Sequence, residues 1–158
     1  MNDDLLALHE YHVWANEKLL NHLRGVPDVF TAPVSGPFPT IASTFGHIYD
    51  VDTIWLKRMQ GESPDSFEDT SFAHADAAMA RFASLHRAVR EFLKNQDGSR
   101  LIRYRNTQGE WFENRLSDLL RHMVNHGTYH RGNVTVMLYQ AGLKGIATDY
   151  IYFLRERP

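Results

Sequence analysis

Apolar residues recur at intervals of three and four positions in four long stretches of the chain, and this period is typical of amphipathic α-helices. The stretches cover residues 3 to 24, about 40 to 60, about 73 to 95 and about 117 to 140. Gly25, Gly61 and Gly142 follow the first, second and fourth stretches, at positions where helices commonly end. The pattern therefore predicts four long helices.

The segments between these helices have other patterns. Residues 27 to 40 contain four of the six prolines, which predicts an ordered connection or lid without helix. Residues 100 to 115 alternate in polarity around a glycine-containing turn, which predicts a short β-hairpin before the fourth long helix. Residues 148 to 157 predict a short closing helix at the C-terminal end.

Four long helices with short or proline-rich links and no internal repeat favour an all-α fold, an antiparallel four-helix bundle. The length of 158 residues suits one compact domain, so residues 1 to 158 are predicted to form a single domain. A composition with 43% hydrophobic and 23% charged residues is that of a soluble globular protein with a real core.

Composition also narrows the classes of function. The formal net charge is −2 and the basic residues are scattered, so no nucleic-acid partner is predicted. No apolar stretch approaches the roughly 18 residues of a membrane span, and no secretory signal is visible, so no membrane association is predicted. The absence of cysteine removes disulfides and protein thiolates and is consistent with a reducing cytoplasm, the predicted location.

Histidine is the unusual residue, with nine in the chain, and the fourth helix concentrates it. At about 100° per residue, five side chains of this helix fall within an arc of about 60°. They are Leu119, Met123, His126, His130 and Met137. Two imidazoles thus lie in the middle of the stripe that faces the core, while His122 lies at its edge.

His126 and His130 are four residues apart, which places their Cβ atoms about 5–6 Å from one another. Both rings can then reach one metal ion at the usual distance of about 2.0–2.1 Å. A buried histidine can instead be satisfied by a hydrogen bond, so the pair alone does not require a metal. A metal would need a third ligand, and His47 on the second helix and His9 and His12 on the first are candidates.

Two longer motifs resemble the DinB/YfiT-like superfamily of bacterial metalloproteins. They are FGHIYDVDTIWLKRMQG at 45 to 61 and LLRHMVNHGTYHRGNVTVMLYQAG at 119 to 142, and WANEKLL and DYIYFLRER extend the likeness along the chain. The resemblance implies an up-down-down-up four-helix bundle, a divalent metal held by three histidines, and a homodimer. Matched by position, the implied ligands are His47, His126 and His130.

Other polar residues are candidates to support this site. Asp52 lies on the apolar arc of the second helix, where its carboxylate could orient a metal-bound imidazole; a solvated acid is the alternative. Asn125 and Arg131 flank the histidine pair, and Arg131 could bind a carboxylate, a substrate anion or a surface partner. Asn16 is a polar residue on a core face and could form one wall of a pocket, and His122 could contact the ligands or be structural.

A site of three imidazoles without thiolates accepts one divalent ion such as Zn, Ni, Fe, Mn or Co. The resemblance implies chemistry with a low-molecular-weight thiol such as bacillithiol, mycothiol or glutathione. The main hypothesis is a metal-dependent enzyme, a thiol transferase or a hydrolase, which activates a small thiol or water against a small electrophile. The alternatives are a non-catalytic metal-binding or structural bundle and a metal-free interaction protein.

Overall fold

Four long helices pack as an antiparallel bundle in the computed structural model, which describes residues 2–156. The elements are α1 (Asn2–Arg24), α2 (Pro27–Phe30), α3 (Ile41–Met59), α4 (Ala75–Leu93), β1 (Leu101–Arg105), β2 (Trp111–Arg115), α5 (Leu116–Gln140) and α6 (Tyr150–Glu156). The four long helices predicted from the hydrophobic period are confirmed, each with ends within about two residues of the prediction.

Side-chain caps define where two of these helices begin. The Thr40 hydroxyl accepts a hydrogen bond from the Ser43 amide at 3.0 Å, and the Ser43 hydroxyl accepts one from the Thr40 amide at 3.1 Å. This reciprocal capping box satisfies two amides that would lack partners at the start of α3. The His74 side chain caps the start of α4 with a single bond, because its Nδ1 accepts a hydrogen bond from the Ala77 amide at 3.1 Å.

Two core clusters establish the direction of each long helix. One cluster joins the C-terminal halves of α1 and α5 to the N-terminal halves of α3 and α4, with Leu20, Phe45, Phe82 and Leu138 among its members. The other joins the opposite ends of the same helices and includes Ile102 of the hairpin. The helices therefore run up, down, down and up in chain order, as the resemblance implies.

The proline-rich segment is partly helical, which corrects the prediction that it contains no helix. α2 is a single turn with Pro27 in the first turn, where its missing N–H costs no hydrogen bond. Phe30 at its end is buried in the core and anchors the segment. The following residues are irregular, as predicted, and are closed by a hydrogen bond from the Val34 amide to the Pro39 carbonyl at 2.9 Å.

The hairpin and the closing helix are confirmed. β1 and β2 pair antiparallel with Arg103 opposite Glu113, and Gly109 in the turn between them has a φ of +85°, which favours glycine. α6 buries Phe153 against Trp14 of α1. Within residues 2–156, no helix combines the length and the apolar character that crossing a bilayer requires.

Candidate metal centre

Three histidines from two helices meet in the groove between α3 and α5. His47 lies in the second turn of α3, and His126 and His130 are one turn apart on α5. The Nε2 atoms of His47 and His126 are 3.1 Å apart, and one ring nitrogen of each histidine lies within 4.8 Å of the other two. The structure thus brings together the three residues that the resemblance implies as metal ligands.

The spacing of these nitrogens fits shared coordination of one ion. Two nitrogens bound at about 2.0–2.1 Å to a tetrahedral ion are about 3.3 Å apart, close to the 3.1 Å between His47 and His126. No fourth histidine and no carboxylate completes this group in the part of the chain that the structure describes. Three protein donors with one open position are typical of catalytic sites, whereas structural sites usually have four.

Burial keeps all three imidazoles in the neutral form that metal binding requires. Desolvation, and after it the neighbouring His130 and His47, lower the pKa of His126 to about 3. Desolvation and then His47 lower the pKa of His130 to about 4. Desolvation also lowers the pKa of His47, although Asp50 and Asp52 oppose that shift. At neutral pH each ring can therefore offer a lone pair.

Aromatic side chains surround the three imidazoles. Phe38, from the proline-rich segment, has its ring centroid 4.7 Å from that of His47 and 5.5 Å from that of His130. Phe67 approaches His47 to 6.3 Å and Tyr129 approaches His130 to 5.0 Å, and both aromatic residues are exposed. The site therefore opens through an apolar mouth, part of which comes from the segment predicted to be a connection or lid.

The loop between α3 and α4 is attached to α3 on both sides of His47. A Cβ atom at Gly46 would lie 1.6 Å from the Thr70 carbonyl oxygen, so the loop backbone can approach only because this residue is glycine. One turn later, the buried carboxylate of Asp50 accepts hydrogen bonds from the Thr70 amide at 2.8 Å and from the Thr70 hydroxyl at 2.6 Å. These contacts fix the turn of α3 that carries His47.

Asp52 contacts an imidazole, as predicted, but that imidazole is not one of the three candidate metal ligands. It is buried, not solvated, and it bonds to His12 Nε2 at 2.8 Å and not to His47. The reason is helical geometry, because five residues turn α3 by about 140° from His47 and direct Asp52 towards α1. Burial raises the pKa of Asp52, and the positive charge of Arg131 opposes that rise.

Arg131 is the cation of this buried network and is not a surface residue. Its Nη1 donates to Asn16 Oδ1 at 2.8 Å and to His12 Nδ1 at 3.3 Å, and its Nη2 donates to Thr128 Oγ1 at 3.0 Å. Because a guanidinium only donates, His12 accepts at Nδ1 and donates from Nε2 to Asp52. A neutral imidazole thus connects the charges of Arg131 and Asp52, and Asn16 lies in this network instead of a pocket wall.

His12, Asp52 and His86 form a second group whose donor atoms lie within 4.8 Å of one another. His9 adjoins it, and neither ring nitrogen of His9 or of His86 has a hydrogen-bond partner within the described chain. A cation here would lie beside the fixed charge of Arg131 and would compete with the bond between His12 and Asp52. The group of His47, His126 and His130 is therefore the better candidate for a metal.

The remaining two candidates, His122 and Asn125, are both exposed on α5. The exposed His122 packs edge-on against Trp55, with ring centroids 5.0 Å apart, and its ring lies 6.1 Å from that of His126. Asn125 is exposed on α5, one residue before His126. Phe38 and the connection of His12 to Arg131 are functional features that the sequence does not reveal, although His12 and Asn16 share a helical face.

Comparisons with known proteins agree with these observations. A model of the DinB family matches residues 1–157. The protein DinB of Bacillus subtilis (strain 168) is 32% identical over 164 aligned residues, which cover 98% of this chain and 95% of the relative. The crystal structure of a DinB-like protein from Bacillus cereus superposes with a TM-score of 0.68 at 19% identity, covering 87% of this chain and 91% of the other. At that identity the superposition shows the fold alone.

Proposed function

Because the chain belongs to the DinB family and brings three neutral imidazoles together, with no fourth donor from residues 2–156, we propose that it is a metal-dependent enzyme. It would activate a small thiol or water for attack on a small electrophile. The observation that carries this proposal is the convergence of His47, His126 and His130 with one coordination position left open.

A divalent ion held by these three histidines would supply Lewis-acid chemistry that lowers the pKa of a thiol or a water in the open position. The protein's own part is to present the ring nitrogens in the neutral state and to hold them in place. Asp50 and the Thr70 backbone fix the turn of α3 that carries His47. Phe38, Phe67 and Tyr129 lie beside the histidine rings and would offer apolar contact to an electrophile.

Several observations support an external thiol as co-substrate. The chain has no cysteine, so any sulfur nucleophile must be brought in. Three imidazoles form a borderline-hard donor set, which suits Zn, Ni, Fe, Mn or Co alike and leaves room for one softer ligand. We therefore propose a transferase that uses a low-molecular-weight thiol such as bacillithiol, mycothiol or glutathione, with hydrolysis by water as the second form of the same chemistry.

A non-catalytic metal-binding role is the second candidate, and one observation favours it. The three ligands come from α3 and α5, so an ion would link two helices that run in opposite directions and would stabilise their packing. In that case removal of the metal lowers the melting temperature and no substrate is turned over. Both functions predict that the protein binds a metal ion, but only the enzyme predicts that a substrate is turned over.

The proposed activity is tested by a turnover screen. Protein loaded with each of the five metals is assayed with the three thiols and with an electrophile such as 1-chloro-2,4-dinitrobenzene. We expect at least one combination to turn over, and we expect His126→Ala to reduce its rate by about 100-fold or more. His22→Ala, a surface histidine bonded to the Lys144 carbonyl, is the matched control and should retain the parent rate. A rate that is the same in both variants contradicts the proposal.

We also propose that the protein is a homodimer that associates through the outer face of α5. Tyr129, Val136 and Tyr139 are 66%, 56% and 65% exposed, and Gly132 between them faces open space. Their spacing of three, four and three residues forms one apolar stripe that a second copy can bury symmetrically. The mass in solution at micromolar concentration should be twice the 18.3 kDa of one chain, and Val136→Glu should reduce it to one chain. A parent protein that is monomeric contradicts the proposal.

A further inference from the structure

A hollow of about 280 Å³ lies between α3, α5 and the hairpin. Its lining is mixed aromatic and polar, and comes from α3, both strands and the first two turns of α5. The lining residues are Trp55, Tyr104, Asn114, Asp118, Leu119 and His122. The volume is near the lower limit for pockets that bind small organic molecules.

The hollow is close enough to the candidate metal centre for one small molecule to reach both. His122 at its upper edge is one helical turn from His126, and their ring centroids are 6.1 Å apart. Trp55 is eight residues beyond His47, which corresponds to about 12 Å along α3. A ligand with its reactive atom beside the three histidines can therefore place its other end in the hollow.

Two aromatic rings form the wall of the hollow and favour a flat ligand. Trp55 and Tyr104 meet edge to face with centroids 5.2 Å apart, and His122 lies edge-on to Trp55 at 5.0 Å. Leu119 adds an apolar surface from α5 and is almost fully buried. Surfaces of this kind bind planar rings through stacking and edge contacts.

A positive charge lies beside two residues of this wall, carried by Arg58, which does not line the hollow itself but lies over its rings. The Arg58 guanidinium lies 4.6 Å from the centre of the Trp55 ring and 5.4 Å from that of Tyr104, and the residue is only 6% exposed. Its Nε has no hydrogen-bond partner, and no carboxylate lies within 4.0 Å of the guanidinium among the residues described. A buried cation of this kind attracts an anion.

The acid at the rim does not cancel that charge. Asp118 is exposed and is already paired with Arg121 at 2.9 Å. The Tyr104 hydroxyl donates to Asn114 Oδ1 at 2.9 Å, which leaves the amide nitrogen of Asn114 as a donor at the hollow. After burial, the charge of Arg58 is the next cause that lowers the pKa of His122. Arg58 and the Asn114 amide therefore offer a positive charge and a hydrogen-bond donor next to the hollow, while the acid in its lining, Asp118, is already paired.

We propose that this hollow binds the non-reacting end of the substrate, and that this end is a planar aromatic ring carrying a carboxylate or a comparable anionic group. The role in substrate binding rests on the proposed function, whereas the affinity of the hollow for an aromatic anion does not need a metal. Arg58 and the aromatic wall then select the substrate, and the three histidines act at its other end.

The test uses 2-naphthoate as the probe and the indole N–H signals of the three tryptophans in a ¹⁵N-labelled parent protein. Only the Trp55 signal should move on titration, because Trp14 packs under α6 and Trp111 lies on the outer side of the hairpin. The carboxylate should bind about tenfold more tightly than 2-naphthylmethanol, and 2-naphthylmethylamine should bind most weakly. Shifts at all three tryptophans, or equal binding of the amine, would overturn the proposal.

Two matched variants separate charge from packing. Arg58→Met should weaken 2-naphthoate by about tenfold and leave 2-naphthylmethanol unchanged. Arg103→Met is the control, because Arg103 also lies over a tryptophan ring, that of Trp111 at 4.7 Å, but is exposed and does not contact Trp55, the tryptophan that lines the hollow. Should Arg58→Met not fold, the comparison of the three probes on the parent protein still decides the outcome.

The metal-ligand variant His126→Ala/His130→Ala makes failure of this proposal distinguishable from failure of the proposed function. It should still bind 2-naphthoate with parent affinity even though it has no metal site. Binding without turnover in any metal and thiol combination would support the subsite and contradict the enzyme. Turnover together with an unmoved Trp55 signal would support the enzyme and overturn the subsite.

Discussion

His126→Ala/His130→Ala is expected to abolish metal binding, from about one ion per chain in the parent to none. The variant retains only His47 of the three converging histidines, and a single imidazole does not hold a divalent ion against water. Elemental analysis of untagged protein, purified without chelator or added metal, measures this directly. The same measurement identifies the native ion, on which the choice of metal for turnover assays depends.

The same variant should also lose the stability that the metal contributes. An ion at about 1,000 times its dissociation constant stabilises the folded state by about 4 kcal/mol, which for a chain of this size corresponds to on the order of 10 °C in melting temperature. A chelator should lower the melting temperature of the parent and leave the variant unchanged. His22→Ala should behave as the parent does. A parent that takes up no metal after Zn, Ni, Mn and Fe are offered would show that the three histidines are packing and hydrogen-bonding residues.

Acid should unfold this protein at a higher pH than its carboxylates alone would predict, because two core histidines resist protonation. Burial, followed by the neighbouring His12, lowers the pKa of His9 to about 3 and that of His86 to about 2. The positive charge of Arg90 is a smaller contribution to both of these shifts, and that of Arg131 contributes at His86. An unfolded chain binds these two protons near pH 6.5, and the folded protein binds them only below about pH 3.

The sign of the effect follows from that difference. Between about pH 6.5 and pH 3 the unfolded state binds more protons, so the free energy of unfolding falls as the pH falls, by about 1.4 kcal/mol per pH unit for each histidine. At pH 4.5 the two together therefore remove about 5 kcal/mol, a large part of the stability of a typical domain. Asp52 acts in the opposite direction, because burial raises its pKa and protonation then favours the folded state.

Urea unfolding measured from pH 7 to pH 4 tests this prediction. His9→Leu/His86→Leu should have a flatter pH dependence than the parent, since it has neither group to protonate, whereas His126 and His130, whose pKa values burial also lowers, account for part of the slope that remains. His22→Ala, which removes an exposed histidine, is the control and should follow the parent curve. The same slope in the parent and in the double variant would show that His9 and His86 do not cause the acid sensitivity.

Much of the fold could be predicted from the sequence, because local rules decide most of it. The apolar period gives the four long helices, and the alternation around Gly109 gives the hairpin. The one-turn helix at Pro27 was missed, because proline is unfavourable inside a helix and neutral in its first turn. The directions of the helices depend on which ends share a core cluster, and they came from the family resemblance.

The candidate site could be predicted only in part, because local spacing relates residues on one helix and not residues on different helices. His126 and His130 share one helix, so spacing alone shows that they point the same way. His47 lies on another helix, and nothing local in the sequence distinguishes it from His12, which bonds instead to Asp52 and accepts from Arg131. The hollow beside Trp55 requires strands and helices to meet, so it becomes visible only in three dimensions.

The attachment of Thr70 to α3 gives this protein a local reporter of the centre. The Thr70 amide is held by Asp50, one turn from His47, so its exchange with solvent deuterium requires the loop to detach from that turn. Slow exchange at this amide therefore measures the rigidity of the α3 turn without any need for turnover. It offers a way to follow how firmly His47 is held in each metal-loaded form, even before a substrate is known.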